Sequence, residues 1–235
     1  MYSREFCRAY NEFGWNYFPE IFGEQLLEWL RRKDLRPRSS LDIGCGTGVL
    51  CEILHARGIE ACGMDLSEGM ISVARERNPE IHYEVADMVT YRPGRQFDLV
   101  TCTGDALNHI ISPEDIALVF DNVHAYLSDC GYFIFDLLNE NEVPEGEPFD
   151  LPYSDTVRAQ FHVTRSVNGV IELKTSIYEN DVLKIEERIH ETVHDREMIC
   201  GLLRKSGFEI VQCADQLMLN EGEHGTTWFI VARKA

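Results

Sequence analysis

Residues Leu41 to Gly48 read LDIGCGTG, and no other stretch limits the fold of this chain as strongly. Leu41 and Ile43 are apolar, with the polar Asp42 between them. Glycine then stands at alternate positions, 44, 46 and 48, before Val49 to Leu54, whose apolar residues have helical spacing. The pattern predicts a strand, a tight glycine turn and the start of a helix. Glycine there accepts positive φ and lets a ligand come close to the main chain. The amides of a helix N-terminus favour a negatively charged group. A dinucleotide fingerprint has glycine at positions one, three and six of its turn. Counted from Gly44, position six is Val49, and the third glycine is at position five. No Gly-Lys-Ser/Thr follows, so the turn is not a phosphate-binding P-loop either.

From there the chain alternates. Ile59 to Met64 reads as a second strand ending at Asp65, with Ser67 as cap of the helix Glu68 to Arg77. Ile81 to Val85 is a third strand, followed by Ala86-Asp87-Met88. Phe97 to Cys102 is a fourth, running into Thr103-Gly104-Asp105-Ala106-Leu107-Asn108-His109-Ile110. Pro113 to Leu127 is an amphipathic helix that Gly131 ends, and Tyr132 to Leu137 is a fifth strand. Such alternation predicts a parallel sheet with helices on both faces. Ligands on such sheets lie beyond the carboxyl ends of the strands.

Both ends of this block differ from it. Ahead of it, Phe6, Tyr10, Phe13, Tyr17, Ile21 and Phe22 have helical spacing, broken near Gly14 and Pro19, and Gln25 to Arg32 continues as helix. After it, Glu140 to Asp150 is acidic, contains two prolines and reads as a loop. Three runs of two-residue alternation follow, about 157–167, 170–178 and 182–190, with Asn168-Gly169 as a hairpin turn signal between the first two. They predict a three-stranded antiparallel meander. A helix Asp195 to Lys205 and strands Glu209 to Ala214 and Thr226 to Ala232 close the chain.

The formal net charge is −18, which disfavours nucleic acid as a partner. Arg31-Arg32-Lys33 with Arg36 and Arg38 is the basic cluster, read as the solvated end of a helix. The eight cysteines form no Cys-x-x-Cys pair, and no histidine cluster accompanies them at zinc spacing, so no metal is expected. They read as reduced residues of a cytoplasmic protein. No stretch has the length of a membrane span, and the first residues lack the apolar run of a signal peptide.

The acidic-x-Gly-x-Gly-x-Gly pattern of Asp42, Gly44, Gly46 and Gly48 resembles the first motif of class I S-adenosylmethionine (SAM) dependent methyltransferases. GMDLS around Asp65 and the late string LLRKSGF are similar to further segments of that family, so the resemblance spans nearly the whole chain. It implies a Rossmann-like, seven-stranded, mostly parallel sheet whose last strand is antiparallel, with the meander as an insertion. It implies one domain over 1–235, with an N-terminal helical lid about 1–36 and a β insertion about 151–193. SAM is then the cofactor. The glycine turn, with Asp42 and Cys45, holds its methionine part. Asp65 takes the ribose, Leu66 lies beside the adenine, and Asp87 with Met88 meets the adenine. Thr103, Gly104 and Asp105 face the methionine end. Asn108 and His109 fall on the substrate side, with His109 as a base near neutrality and Tyr10 as a wall of the methyl-transfer site. A small molecule is the expected acceptor, an amine by weak preference. Open alternatives are a SAM-binding protein without catalysis, a protein acceptor, a nucleotide-dependent oxidoreductase, and a meander that forms a homodimer contact rather than a roof.

Overall fold

The computed structural model describes residues 2–12, 14–139, 146–152, 154–165, 169–214 and 227–235. Phe13, the 140–145 part of the acidic loop, Asn168 of the expected hairpin turn and Thr226 lie outside the described residues.

Alternation of strand and helix produces an open sheet. Its strands are β1 (Ser39–Ile43), β2 (Glu60–Asp65), β3 (His82–Val85), β4 (Phe97–Cys102) and β5 (Leu127–Leu138). β6 (Phe149–Pro152), β7 (Val157–Arg165), β8 (Val170–Glu179) and β9 (Val182–Thr192) form the insertion, and β10 (Phe208–Ala214) and β11 (Thr227–Lys234) complete the main sheet. The order of the seven-stranded sheet is β10-β11-β5-β4-β1-β2-β3. β11 is antiparallel to β5 and β10, and the other pairs are parallel. The strand order reverses between β1 and β4, and a crevice opens at the carboxyl ends of the strands at such a point.

The helices are α1 (Arg4–Ala9), α2 (Tyr17–Arg32), α3 (Val49–Ala56), α4 (Glu68–Arg77), α5 (Pro113–Tyr126) and α6 (Arg196–Lys205). Each sheet face carries its own core. Ile116, Phe120 and Val123 of α5 and Ile199 and Leu203 of α6 pack with Phe133 and Phe135 on one face. Phe22, Leu26 and Trp29 of α2 pack with Leu50 and Leu54 of α3 on the other. Serine and aspartate start several helices. Ser67, Ser112 and Asp195 each accept a backbone N–H from the first turn of α4, α5 and α6.

Three features depart from the sequence reading. Pro19 does not break the N-terminal helix. It sits in the first turn of α2, where its missing N–H costs nothing. Gly131 does not end α5, which passes directly into β5 at Leu127. The strand then bulges, because the register steps from Phe97↔Leu127 to Leu99↔Tyr132. A Cβ at Gly131 would come within 2.9 Å of the Ser128 carbonyl, so glycine permits that approach. Finally, the insertion has four strands among the described residues, in the order β6-β7-β8-β9. β6 grows from the end of the acidic proline stretch, where Phe149 and Leu151 flank Asp150, and Pro152 is tolerated on an edge strand. Asn180 and Asp181 turn the β8–β9 hairpin with φ of 50° and 59°, as a primed turn requires.

Candidate functional site

A cavity of about 910 Å³ lies over the carboxyl ends of β1, β2 and β4. Its floor is the glycine turn. Gly44, Gly46 and Gly48 all have positive φ, at 70°, 52° and 82°. The fold itself takes up several amides of the turn. Gly44 N and Cys45 N donate to the Met64 carbonyl at 2.8 and 3.0 Å, and Gly48 N donates to the Cys45 carbonyl at 2.9 Å. The turn therefore offers space and shape to a ligand more than free donors. At Gly46 a Cβ would meet nothing within 4 Å. At Gly48 a Cβ would strike the Tyr83 ring, and this residue does not line the cavity. It belongs to the start of α3 instead.

Asp65, at the end of β2, has both carboxylate oxygens in use. Oδ2 accepts from Gly46 N at 2.9 Å, and Oδ1 accepts from Ser67 N at 2.8 Å. It ties the glycine turn to the start of α4 while lining the cavity. Burial raises its pKa, and the two backbone bonds oppose that rise. Asp42 is buried and accepts from Thr101 Oγ1 at 2.7 Å. Burial pushes it up to about 7. Asp136, at the end of β5, is fully buried and accepts from Gly104 N and Asp105 N at 2.9 and 3.1 Å. Asp105 has φ 60°, burial raises it to about 6, and its Oδ1 is buried without a hydrogen-bond partner. Four carboxyl groups thus converge on the cavity, and each is raised chiefly by loss of water. A cation bound among them would favour their ionised forms.

Cys45, Leu66, Asp87, Met88, Thr103, Gly104, His109 and Tyr10 also line this cavity. Leu66 is 57% exposed beside it. Asp87 lines it and also closes its own turn, accepting from Val89 N at 2.9 Å. Tyr10 packs edge-on to Phe6 and beside Trp15, and burial pushes its hydroxyl up to about 12. Asn108, expected on the substrate side, is fully buried instead. Its amide joins the Thr192 carbonyl to Leu138 N, so it holds structure together.

The N-terminal segment divides in two. Tyr2 and Tyr10, on either side of α1, line the cavity. Ser3 N donates to Glu187 Oε1 at 2.7 Å, and Thr47 Oγ1 donates to Asn11 Oδ1 at 2.8 Å. α2 packs in the core on α3. Tyr2, Trp15, Phe18, Asp136 and the β9 residues Arg188 to His190 line the cavity, though the sequence does not lead one to expect them there. Asp136 is within reach of the strand-end rule that exposes Asp65. The others arrive through long-range packing and carry no local signal. Among the described residues no group of three or more His, Cys, Asp or Glu is set to hold a metal ion. No described helix is long and apolar enough to cross a membrane.

A seven-stranded sheet with this order, and a glycine turn at its switch point, is a Rossmann-like arrangement. Residues 41–131 match the family model described as a methyltransferase domain. The ubiquinone biosynthesis O-methyltransferase of Nitrosomonas europaea is 32% identical over 133 residues, or 54% of this chain and 50% of that protein. The solved structure of a SAM-dependent methyltransferase from Clostridium acetobutylicum has a TM-score of 0.82 at 23% identity, covering 96% of this chain and 98% of that one. The SAM-bound structure of CalS10, an amino pentose methyltransferase from Micromonospora echinaspora, has a TM-score of 0.78 at 20% identity, covering 100% and 98%. The chain spans about half the length of the curated relatives it matches. The chain is thus similar to methyltransferases over residues 41–131 and shares the fold of solved SAM-dependent methyltransferases.

Proposed function

We propose that this chain binds SAM and transfers its methyl group to a small-molecule acceptor, an amine by preference. The carrying observation is the convergence of Asp42, Asp65, Asp105 and Asp136 on a cavity whose floor is the open face of Gly46. Such a site suits a ligand with a cationic centre, and a net charge of −18 extends the same preference outward. Bound there, SAM would supply a sulfonium-activated methyl for in-line displacement. The residues do the rest. The glycine turn, with Asp42 and Cys45, receives the methionine part, and Thr103 and Gly104 border it. Asp65 takes the ribose, and Leu66, Asp87 and Met88 take the adenine. His109 takes the acceptor's proton, and Tyr10 walls the transfer site. Holding the acceptor and the methyl donor in line supplies much of the acceleration.

The amine preference draws on the acidic lining and on the likeness in fold to CalS10, an amino pentose methyltransferase. The O-methyltransferase relative makes a hydroxyl acceptor the competing outcome. The insertion reads as a roof, since β9 residues line the cavity. Sedimentation would test the dimer contact that is its alternative. Free, mostly buried thiols fit a reduced, cytoplasmic protein.

The test is calorimetry of SAM and its demethylated product with the wild type and Asp65→Ala, followed by an acceptor screen. Saturable binding that weakens at least tenfold in the variant supports the cofactor assignment. A wild type that binds neither compound overturns it. Saturable binding without turnover of any amine, alcohol or protein acceptor would leave a SAM-binding protein without catalysis.

A further inference from the structure

We propose that Glu191, on the insertion strand β9, is a positioning residue for His109, so that the insertion completes the acceptor side of the cavity as well as covering it. The inference rests on the reading in which His109 receives the acceptor's proton. Its basis is the way successive residues of β9 meet the short 3₁₀ helix Ala106–His109.

His109 Nδ1 lies 3.2 Å from the His190 carbonyl. A carbonyl only accepts, so this bond places the proton on Nδ1 and leaves the lone pair on Nε2. His109 Nε2 in turn faces Glu191 Oε1 at 3.9 Å. One residue on, the Thr192 carbonyl accepts from Asn108 Nδ2 at 2.8 Å. Asn108 Oδ1 accepts from Leu138 N at 3.2 Å, which ties the same helix to β5. The ring of His109 is therefore fixed in tautomer and direction by backbone from the insertion, and its free nitrogen is turned toward one carboxyl group. The Glu191 side chain is only 12% exposed.

Charged and titratable groups surround the pair. Asp65 acts on His109 from β2. Asp105 acts on Glu191 from just before the 3₁₀ helix. Tyr2 lies among Tyr10, Glu191, Asp65 and Asp105. His190, next along β9, is held by Glu172 of β8 at 3.1 Å. Burial, then Asp105, pushes Glu191 up to about 8. Burial lowers His109, while the His190 carbonyl and Asp65 oppose this. At neutral pH Glu191 therefore keeps its carboxyl proton, His109 carries one proton on Nδ1, and Nε2 is vacant. A protonated amine acceptor must lose a proton before its nitrogen can attack. Its N–H bond breaks, the electron pair stays on nitrogen, and the proton bonds to the Nε2 lone pair. The imidazolium so formed faces Glu191, and a cation at that distance favours the ionised carboxylate, whose proton is released to water. The arrangement gains attraction just as His109 becomes charged.

The pairing can be tested without turnover. Histidine ring nitrogens are followed by NMR against pH in SAM-free wild type, Glu191→Gln and Glu191→Ala, with His109→Asn supplying the assignment. The wild type should show the Nδ1–H tautomer and two inflections for His109, the upper one from its neighbour's titration. Glu191→Gln should keep the tautomer and lose the upper inflection. On the best acceptor found, Glu191→Gln should lower kcat by about tenfold, with acceptor KM and SAM affinity within twofold. Identical His109 titrations in wild type and Glu191→Gln would overturn the proposal. So would a Glu191→Gln variant whose SAM affinity falls together with kcat. If the wild type methylates no acceptor, the functional reading fails while the NMR comparison still decides the pairing.

Discussion

Thr101 Oγ1 donates to Asp42 Oδ1 at 2.7 Å and joins β4 to β1 where the strand order reverses. Both side chains are buried. The bond opposes the burial that pushes Asp42 up to about 7. Thr101→Val keeps the shape and removes the donor. It should cost about 1–3 kcal/mol, the usual penalty for a buried acceptor left unsatisfied. Losing a bond to the charged form pushes the pKa further up, so the cost should be larger at pH 8 than at pH 6. Urea denaturation at both values checks this, and an equal cost at both would mean that Asp42 does not titrate between them.

The raised carboxyls give the protein a pH dependence of a definite sign. Asp42 and Glu191 titrate at about 7 and about 8 when folded, against about 4 in an unfolded chain. The folded state holds protons that the unfolded state has already released. Stability from these groups is complete below pH 4 and is lost as pH rises through 7 and 8. His109, His124 and His194 are lowered by burial and act in the opposite sense, but their window lies below the ordinary histidine value. Between pH 6.5 and 8.5 the melting temperature of the SAM-free protein should fall, and saturating SAM should reduce the fall. A melting temperature that rises across that range would contradict the buried, protonated state of these groups.

Gly46 and Gly48 separate shape for a ligand from shape for the fold. Both have positive φ, at 52° and 82°. A Cβ on Gly46 enters open space, whereas one on Gly48 strikes the Tyr83 ring. Gly46→Ala should therefore cost roughly 1–2 kcal/mol of backbone strain and weaken SAM binding at least tenfold by filling the floor. Gly48→Ala adds a clash with a buried aromatic residue to the same strain. It should lose at least twice as much stability, read by urea midpoints beside calorimetric binding.

Local pattern makes most of this architecture legible. The five strands β1 to β5 with the helices α3, α4 and α5 between them, the caps at Ser67 and Asp195, and the antiparallel close of the sheet all depend on short spacings. The strand-end aspartates Asp42 and Asp65 are visible for the same reason. What escapes the sequence is where one element reaches another. Nothing near Glu191 marks it as a neighbour of His109, because the contact joins residues 82 positions apart through a hairpin whose placement is tertiary. The motif gives Gly48 to the ligand, yet Tyr83 on β3 gives its missing Cβ a packing reason. Asn108 resembles a site residue because it precedes His109, but on a 3₁₀ helix the two side chains diverge, one into the core and one to the cavity.

Thr47 and Asn11 should control how fast the ligand leaves. Thr47, in the glycine turn, donates through Oγ1 to Asn11 Oδ1 at 2.8 Å. Asn11 lies in the turn that follows α1. The far end of that segment is held by Ser3 N on Glu187 Oε1 at 2.7 Å, and Phe6 stacks between Tyr2 and Trp15. If the segment is a lid, its two polar ties resist opening and scarcely affect first encounter. Thr47→Val removes one tie and leaves the Asn11 amide to water. SAM dissociation should speed up about fivefold, as expected for a bond worth about 1 kcal/mol, while association changes less than twofold. Glu187→Gln keeps an acceptor for Ser3 N and should have a smaller effect. Trp15 lines the cavity, so stopped-flow tryptophan fluorescence can follow both rates. Equal dissociation rates in wild type and Thr47→Val would mean that the segment is a fixed wall, and that ligand exchange uses the rim formed by Leu66 and Ile111.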